Sequence, residues 1–424
     1  MKNRMMVGAM ASFVSGLCVL SGVAAEKMPI TAWGWALKYD KGQVTQERYN
    51  EIAEAGFTEI LQWVPTEKDG LKVLDMAQKA GLKVLLHFHP IMSGLPKAYV
   101  DAVKDHPALD SYYVYDEPTP EKMKKIAPVV KNIQEWDPNH HAYVNALGKW
   151  EGDGKPGTYG MSDGSYEGYL EEFFRNFDWK VIRQDTYPVF SALRFEERPF
   201  RRPRGPLCLF EKWFPTLEVV KKVSERHHVP YRGFVLCCAI RNHPCFDNPL
   251  PTVSHMKLQA YANIAYGAQG LEYYKYRMFD AGNYAPIDRN MKRTAVFDRC
   301  REVNAEIQAR AQCFLGAKLV KVRHAAKVIP ELCTKFDGQV DLPSFATNLQ
   351  VDRPAVISHF TKGGRDVLLV LNADPNDELT LRLDVKPGAV RIMKDGRRVD
   401  PALYDGEYWL NPGDAEVFIG PKSE

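Results

Sequence analysis

The sequence alternates short apolar runs with segments of helical periodicity, and this alternation constrains the fold most strongly. Segments such as Gln46–Ala55 and Leu71–Ala80 carry apolar residues at helical spacing, and Gly56 and Gly81 stand where those helices should end. Strands that alternate with helices imply parallel strands joined by crossover connections. The eight apolar runs are Ile30–Leu37, Phe57–Val64, Lys83–His89, Ser111–Tyr115, His141–Leu147, Lys180–Val189, Tyr231–Ile240 and Gly270–Tyr276.

Eight such units across roughly 280 residues match a (β/α)8 TIM barrel in number and length. The competing fold is a doubly wound parallel sheet, which usually carries a glycine-rich phosphate turn after its first strand. No G-x-G-x-x-G follows the first run, and no G-x-x-x-x-G-K-[ST] occurs in the sequence. The sequence therefore predicts an α/β fold built on a (β/α)8 barrel.

The pattern changes after about residue 315, where short apolar runs alternate with turn residues. The turns include Lys362-Gly363-Gly364 and Asp395-Gly396. Hairpin signals at this density indicate a small antiparallel β-sandwich. We predict the barrel over residues 26–315 and the sandwich over 316–424. The apolar runs of this part are Val356–Phe360, Val367–Asn372, Leu379–Val385, Val390–Met393 and Ala415–Ile419.

The first 25 residues have the pattern of a secretory signal peptide. Lys2 and Arg4 supply a positive start, an apolar stretch follows, and Ala24-Ala25 offers a small-residue cleavage site. We therefore predict that the mature chain begins near Glu26 and is exported to the periplasm, the cell surface or the medium. Retention as a membrane anchor is the alternative, since the apolar stretch is only just long enough to span a bilayer.

The charge balance gives no electrostatic case for nucleic acid as a partner. The chain has 56 basic and 53 acidic residues and a net charge of +3, whereas nucleic-acid binding usually needs a concentrated basic face. The one dense basic cluster is Arg198–Arg204. This cluster has two interpretations: a solvated loop, or a path for an anionic substrate.

Seven cysteines remain after signal removal, so at least one thiol stays unpaired even if export permits disulfides. A metal site at Cys237, Cys238 and Cys245 near His243 is disfavoured, because adjacent strand residues point to opposite faces. We predict neither a metal nor a cofactor. The seven are Cys208, Cys237, Cys238, Cys245, Cys300, Cys313 and Cys333.

Polar and aromatic residues gather where the predicted barrel strands end, which is where parallel barrels carry their active sites. Sugar rings have apolar faces that stack on aromatic rings and hydroxyl rims that need polar partners, so this mixture indicates a carbohydrate. The strand-end residues are Trp33, Trp35, Gln62, Trp63, His87, His89, Asp116, Glu117, Asn145, Asp185, Tyr187, Arg241, Asn242, His243, Glu272, Tyr274 and Lys275.

The strongest single signal is Asp116-Glu117, at the end of the run YYVYDEP. Pro118 stops the strand, and Thr119-Pro120 starts the next helix. Two adjacent carboxylates repel each other, which raises a pKa and suits a general acid that works near neutral pH. The alternative is that the pair only caps the following helix.

The YYVYDEP segment resembles part of the bacterial TIM-barrel glycoside hydrolases. So do Pro251-Thr252 before a helix, the stretch from Tyr266 to Tyr274 (YGAQGLEYY), and the ending LNPGD. In those enzymes a carboxylate on strand 4 acts as acid, a GA-x-G segment opens the last strand, and an accessory β-sandwich follows. The resemblance implies a secreted glycosidase with Glu117 as the acid.

The chain departs from the best-known pattern of these enzymes. Retaining members of the large barrel clan carry an Asn-Glu pair on strand 4 and a nucleophilic Glu on strand 7. Here Asp116 replaces the Asn, and the strand-7 run Gly233–Ile240 ends without a carboxylate. The usual pair of retaining carboxylates is therefore incomplete.

Several mechanisms stay open. In the first, Glu117 is the acid, and Asp185 or Glu272 is the base or nucleophile. In the second, Asp116 orients a substrate acetamido group that attacks the sugar, as in substrate-assisted hexosaminidases whose adjacent acids this pair resembles. In the third, a tyrosine, Tyr187 or another, is the nucleophile.

The remaining candidates have more than one interpretation. Glu272 lies early on its strand and could instead form a salt bridge toward the helices. His87 and His89 share one face and could hold a metal or hydrogen-bond sugar hydroxyls. A barrel that binds carbohydrate without cleaving it is the rival function. The predicted substrate-binding residues are Trp35, Trp63, His87, His89, Asn145, Tyr187, Tyr274 (also the second candidate nucleophile) and Lys275.

Overall fold

The chain is described from a computed structural model that covers residues 26–33, 37–149, 154–191, 207–209, 211–240, 248–278 and 284–422. Eight parallel strands close into a barrel, with β1 paired to both β2 and β10. The barrel order is β1-β2-β3-β4-β5-β6-β9-β10, and β7 and β8 form a separate antiparallel pair. The strands are β1 Ile30–Ala32, β2 Glu59–Val64, β3 Lys83–Phe88, β4 Leu109–Asp116, β5 His141–Leu147, β6 Ile182–Asp185, β7 Val189–Ser191, β8 Leu207–Leu209, β9 Tyr231–Leu236 and β10 Leu271–Tyr274.

Each of the eight predicted runs overlaps one barrel strand, so the predicted (β/α)8 architecture is confirmed. The helices between them often begin at a threonine whose hydroxyl accepts a backbone N–H, as at Thr45, Thr66 and Thr119. The helices are α1 Gln46–Glu54, α2 Glu67–Ala80, α3 Ile91–Gly94, α4 Lys97–Val103, α5 Pro120–Trp136, α6 Tyr166–Asn176, α7 Trp213–His227, α8 Val253–Ala265 and α9 Ala295–Arg310.

The C-terminal part consists of two antiparallel sheets, as predicted. A six-stranded sheet has the order β11-β13-β14-β19-β16-β17, and a three-stranded sheet has the order β12-β15-β18. The predicted boundary after residue 315 falls between α9 and β11. The strands are β11 Lys318–Ala325, β12 Ala346–Val351, β13 Ala355–Lys362, β14 Arg365–Asn372, β15 Leu379–Val385, β16 Val390–Ile392, β17 Arg398–Val399, β18 Glu407–Leu410 and β19 Ala415–Ile419.

The six-stranded sheet buries both of its faces. Leu368 and Val370 of β14 pack in one core with residues of the three-stranded sheet. Leu369 and Leu371, on the opposite face of the same strand, belong to the large core of the barrel and its helices. The sandwich is therefore packed directly against the barrel.

Buried charges join the two parts of the chain. The Arg310 side chain is 1% exposed and donates to the carbonyl oxygens of Ile392, Met393 and Ala415. Lys257 of α8 contacts Asp414, just before β19, with 3.3 Å between Nζ and Oδ1. These contacts satisfy polar groups that the junction would otherwise bury without partners.

Several sequence predictions concern residues outside the described part. They are the signal segment 1–25, the basic cluster at 198–204, and the side chains of Trp35, Cys208, Arg241, Asn242, His243 and Cys245. Within the described part, no helix is long and apolar enough to cross a membrane. The described cysteine side chains, Cys237, Cys238, Cys300, Cys313 and Cys333, are not joined in disulfides.

Candidate active site

Three carboxyl groups meet at the C-terminal mouth of the barrel. Asp116 is the last residue of β4, Glu117 follows it, and Asp185 is the last residue of β6. Strand β5 lies between these two strands, with Asn145 beside Asp116 and Leu147 beside Asp185. Asp116 and Glu117 reach solvent at the mouth, and Asp185 is half-buried. The position is the one at which parallel barrels build their active sites.

A β-bulge in β4 turns Asp116 toward the barrel interior. Tyr113 pairs with Tyr143 of β5, but the register shifts before Tyr115, and Asp116 then pairs with Asn145. Since side chains alternate along a strand, an unbroken β4 would align Tyr115, rather than Asp116, with the inward Tyr113. The extra residue thus places a carboxylate where regular alternation would place an aromatic ring.

Hydrogen bonds fix the side chain of Asp116 and the backbone of Glu117. Asn145 Nδ2 donates to Asp116 Oδ1 at 3.0 Å, and both Asn145 and Tyr113 act to lower the pKa of this carboxyl group. The Glu117 backbone N–H donates to the Asn145 carbonyl at 3.1 Å. Glu117 has φ 46°, in the left-handed region that non-glycine residues seldom occupy. Strained backbone of this kind is typical of functional sites.

Glu117 and Asp185 are hydrogen-bonded to each other through their side chains. Loss of hydration, followed by the nearby charges of Glu117 and Asp116, raises the pKa of Asp185 well above its usual range. Loss of hydration and the Glu117 charge raise the pKa of Asp116 to about 6. Loss of hydration likewise raises the pKa of Glu117, although the contact with Asp185 acts to lower it. The cluster therefore holds protons at pH values where isolated carboxyl groups have lost them.

Among the residues that the structure describes, none donates a hydrogen bond to two buried oxygens at this site, Asp185 Oδ1 and Asn145 Oδ1. Buried acceptors of this kind are normally satisfied, so a bound molecule with hydroxyl or N–H groups would supply the missing donors.

A glycine allows β5 and β6 to approach at this point. A Cβ atom added to Gly148 would lie 2.2 Å from Thr186 Oγ1 and 2.3 Å from the Asp185 carbonyl oxygen. Any larger residue would push the end of β6, and with it Asp185, away from β5.

Aromatic rings surround the carboxyl groups. Tyr187 and Tyr274 stack with ring centroids 5.6 Å apart, and the Tyr187 hydroxyl lies 3.5 Å from Asp185 Oδ2. The half-buried Trp63 contacts the exposed His89 edge to face at 5.7 Å. Lys275 is buried, with Nζ 5.7 Å from the centre of the Tyr274 ring. The predicted residues Asn145, Tyr187 and Tyr274 thus lie beside the carboxyl groups or stack next to them, and Trp63 and His89 contact each other at the ends of β2 and β3.

His87 faces the same aromatic cluster. Its Nδ1 lies 2.9 Å from the Tyr113 carbonyl oxygen, and loss of hydration lowers its pKa to about 4. The ring is therefore neutral at neutral pH and takes part as a hydrogen-bonding group. Among the described residues, no group of three or more His, Cys, Asp or Glu side chains is arranged to hold a metal ion.

Glu272 is not brought together with the other carboxyl groups. It is the second residue of β10, one inward-facing position before Tyr274, and it is fully buried. Its Oε1 lies 3.0 Å from Nε of Arg183, and its Oε2 accepts a hydrogen bond of 2.5 Å from Tyr143. The predicted salt bridge exists, but it points into the barrel interior and not toward the helices, because Arg183 is itself an inward residue of β6.

Tyr113, Tyr143 and Arg183 were not predicted as site residues. All three are interior residues of barrel strands below the mouth, whereas the predicted site residues lie at or near the strand ends. For Tyr143 and Arg183 the signal that could have found them is period-two spacing, since Tyr143 precedes Asn145 and Arg183 precedes Asp185 by two residues. Tyr113 lies three residues before Asp116 because of the bulge, so the same spacing does not find it.

No model of a known protein family matches the sequence, and no curated protein matches it either. Solved structures do match in fold. A catalytic mutant of Gan42B, a GH42 β-galactosidase from G. stearothermophilus, is 9% identical with a TM-score of 0.59, covering 93% of this chain and 98% of that chain.

Two further structures match over nearly the same extent. A β-galactosidase from Bacillus circulans sp. alkalophilus is 10% identical with a TM-score of 0.57, covering 93% of this chain and 99% of that chain. A glycoside hydrolase of family 5 from Bacteroides vulgatus is 10% identical with a TM-score of 0.52, covering 93% and 89%. At these identities the likeness is one of fold, and it confirms that the chain is built like TIM-barrel glycoside hydrolases.

Proposed function

We propose that the protein is a glycoside hydrolase in which Glu117 is the general acid. The observation that carries this proposal is the contact between the Glu117 and Asp185 side chains, with Asp116 beside them and the stacked rings of Tyr187 and Tyr274 next to Asp185. A fold shared with glycoside hydrolases supports the assignment of substrate class.

The pair supplies the proton that the leaving group needs. Two carboxyl groups in hydrogen-bonding contact cannot both ionise near neutral pH, so they hold one proton between them. Glu117, at the open mouth, delivers that proton to the glycosidic oxygen, and general acid catalysis of this kind contributes about 10²–10⁴-fold in rate.

The close contact makes Asp185 a proton-sharing partner, not the opposite catalytic carboxylate. Retaining pairs are about 5–5.5 Å apart and inverting pairs about 6.5–9.5 Å, and a hydrogen bond is shorter than both. Glu272 is occupied by Arg183 and Tyr143. These two facts favour a substrate acetamido group as the second participant, with its N–H donated to Asp116.

A tyrosine nucleophile has less support. Loss of hydration and the Asp185 charge raise the pKa of Tyr187 well above its usual range, which keeps the hydroxyl protonated and weakly nucleophilic. We assign Tyr187 and Tyr274 instead to stacking against sugar rings, with Trp63, His87, His89, Asn145 and Lys275 as further contacts. Because the first 25 residues are predicted to be a signal segment, we also propose that this activity is exported.

The test is glycoside cleavage by the purified protein. We expect release from a panel of aryl glycosides that includes 2-acetamido-2-deoxy sugars, and a loss of about 100-fold or more in Glu117→Gln. Glu121→Gln is the matched control, because Glu121 is an exposed residue in the first turn of α5 that pairs with Lys125. Binding of glycans without release, unaffected by Glu117→Gln, would instead establish the rival function, a carbohydrate-binding barrel.

A further inference from the structure

We propose that Tyr143 and Glu272 are positioning residues. They hold the aromatic rings of Tyr113, Trp33 and Tyr274 that lie beneath the catalytic carboxyl groups. The inference rests on the proposed function for its kinetic consequence, but its geometric basis is independent of the substrate. It gives Glu272 a role that follows from its contacts in the barrel interior.

The centre of this arrangement is a buried group of three side chains. Glu272 and Arg183 form an ion pair with both side chains fully buried. The Arg183 guanidinium also lies 3.9 Å from the centre of the Tyr143 ring, while the Tyr143 hydroxyl donates to Glu272. Burial and the Glu272 charge keep the pKa of Tyr143 well above its usual range, so this hydroxyl remains a donor. The Tyr143 ring is thus fixed on its face and at its hydroxyl.

One route leads from Tyr143 to Asp116. The Tyr143 and Tyr113 rings meet edge to face with centroids 5.0 Å apart. The Tyr113 side chain acts on the Asp116 carboxylate, whose pKa it lowers. A tilt of the Tyr143 ring would therefore shift Tyr113 relative to Asp116.

A second route leads from Tyr143 to Asp185. Trp33 Nε1 donates to the Tyr143 hydroxyl at 3.1 Å, and the Trp33 ring packs against Tyr274 at 5.6 Å. Tyr274 in turn stacks on Tyr187, whose hydroxyl lies 3.5 Å from Asp185 Oδ2. Tyr143 is thus connected to two of the three catalytic carboxyl groups, Asp116 and Asp185, through different side chains.

The composition of this group supports a positioning role over a purely stabilising one. A buried ion pair is often no more stable than apolar residues of similar volume, because both charges lose their hydration. A directional hydrogen bond, in contrast, selects one ring orientation among several that packing alone would allow. Since catalysis tolerates little displacement of reacting groups, an orientation held in this way has a direct effect on rate.

Tyr143→Phe tests the proposal, because it keeps the ring, its packing and the Arg183 contact while removing both hydrogen bonds. We expect an unchanged far-UV circular dichroism spectrum, a fall in kcat of about tenfold and a nearly unchanged KM. Tyr112→Phe is the matched control. Tyr112 is also fully buried in β4 but donates to Asp137, away from the carboxyl cluster. It should lose stability without losing kcat.

A substrate-free measurement separates this inference from the proposed function. Carboxyl ¹³C NMR titration should show the midpoints of Asp116 and Asp185 displaced by about half a pH unit or more in Tyr143→Phe and unchanged in Tyr112→Phe. Glu272→Gln should displace them in the same way. Midpoints that match the wild type in both Tyr143→Phe and Glu272→Gln would overturn the positioning role. If the wild type cleaves no glycoside but the midpoints move, only the proposed function fails.

Discussion

At the residue scale, the site brings together three acidic side chains, Asp116, Glu117 and Asp185. Their mutual repulsion when ionised would favour keeping them apart if stability alone mattered. Asp116-Glu117 could be predicted from the sequence, because two carboxylates at a strand end have few structural uses. The contact between Glu117 and Asp185 could not be predicted, since it depends on how far β6 extends along β5. Sites of this kind commonly lower stability in exchange for reactivity.

The pH dependence of stability follows from Asp116. Its pKa is raised from 3.8 to about 6 in the folded chain, so the folded state binds this proton more tightly than the unfolded chain does. The stability that it contributes is full below about pH 4 and is lost as the pH rises through about 6.

Asp116→Asn should therefore raise the Tm at pH 8 and leave it unchanged at pH 3.5. Solvent at the mouth screens the repulsion, so we expect a rise of only about 2 °C. Asp101→Asn is the control of opposite sign, because Lys104 and Lys97 lower the pKa of Asp101. Calorimetry at both pH values measures the difference, and an equal rise for the two variants at pH 8 would contradict the assignment.

At the element scale, the eight strands were predictable because each is a run of apolar residues bounded by turn or cap residues. The bulge in β4 was not, since one added residue leaves no mark in composition. It decides which side chain points toward the barrel interior, because regular alternation would place Tyr115 in the position that Asp116 occupies. In the C-terminal part, strands β11, β12, β17 and β18 were also not predicted. Strands β17 and β18 are short, and β11 and β12 have an irregular register.

The approach of β5 to β6 is tested by Gly148→Ala. The added methyl group would meet the Asp185 carbonyl and Thr186, so the end of β6 must move. We expect kcat to fall at least about tenfold, with a smaller effect on folding. Gly168→Ala, inside α6, is the control: there the added Cβ meets the flexible Met161 side chain at 3.3 Å, and helix propensity favours alanine by about 0.5–1 kcal/mol. Equal activity in both variants would contradict the role given to Gly148.

At the scale of the whole molecule, the sandwich and the barrel share one continuous core. The sequence predicted both parts and their order, since the change from helical to hairpin pattern is abrupt. The junction between them could not be predicted. In the sequence, Lys257, Glu306 and Asp414 are indistinguishable from surface charges, and only the packing of α8, α9 and the start of β19 brings them together.

Lys257→Met should destabilise the entire chain. Lys257 is 7% exposed and lies between Glu306 and Asp414, so its removal leaves buried carboxylates with one partner fewer, at a cost of about 3–5 kcal/mol. Lys394→Met removes the other cation on Asp414, but the Lys394 side chain is 43% exposed and should cost less than about 1 kcal/mol. We expect a single, lower unfolding transition for Lys257→Met; separate transitions of barrel and sandwich would show that they are not one cooperative unit.

The most direct test of the central claim, that Glu117 donates the proton shared with Asp185, is the leaving-group dependence of cleavage. For a dinitrophenyl glycoside, which leaves without protonation, Glu117→Gln should keep most of the wild-type rate. For a glycoside with a poor leaving group, such as an alkyl glycoside, the same variant should lose about 10²–10⁴-fold. A loss that is equal for both leaving groups, or no loss for either, would contradict the assignment of Glu117 as the acid.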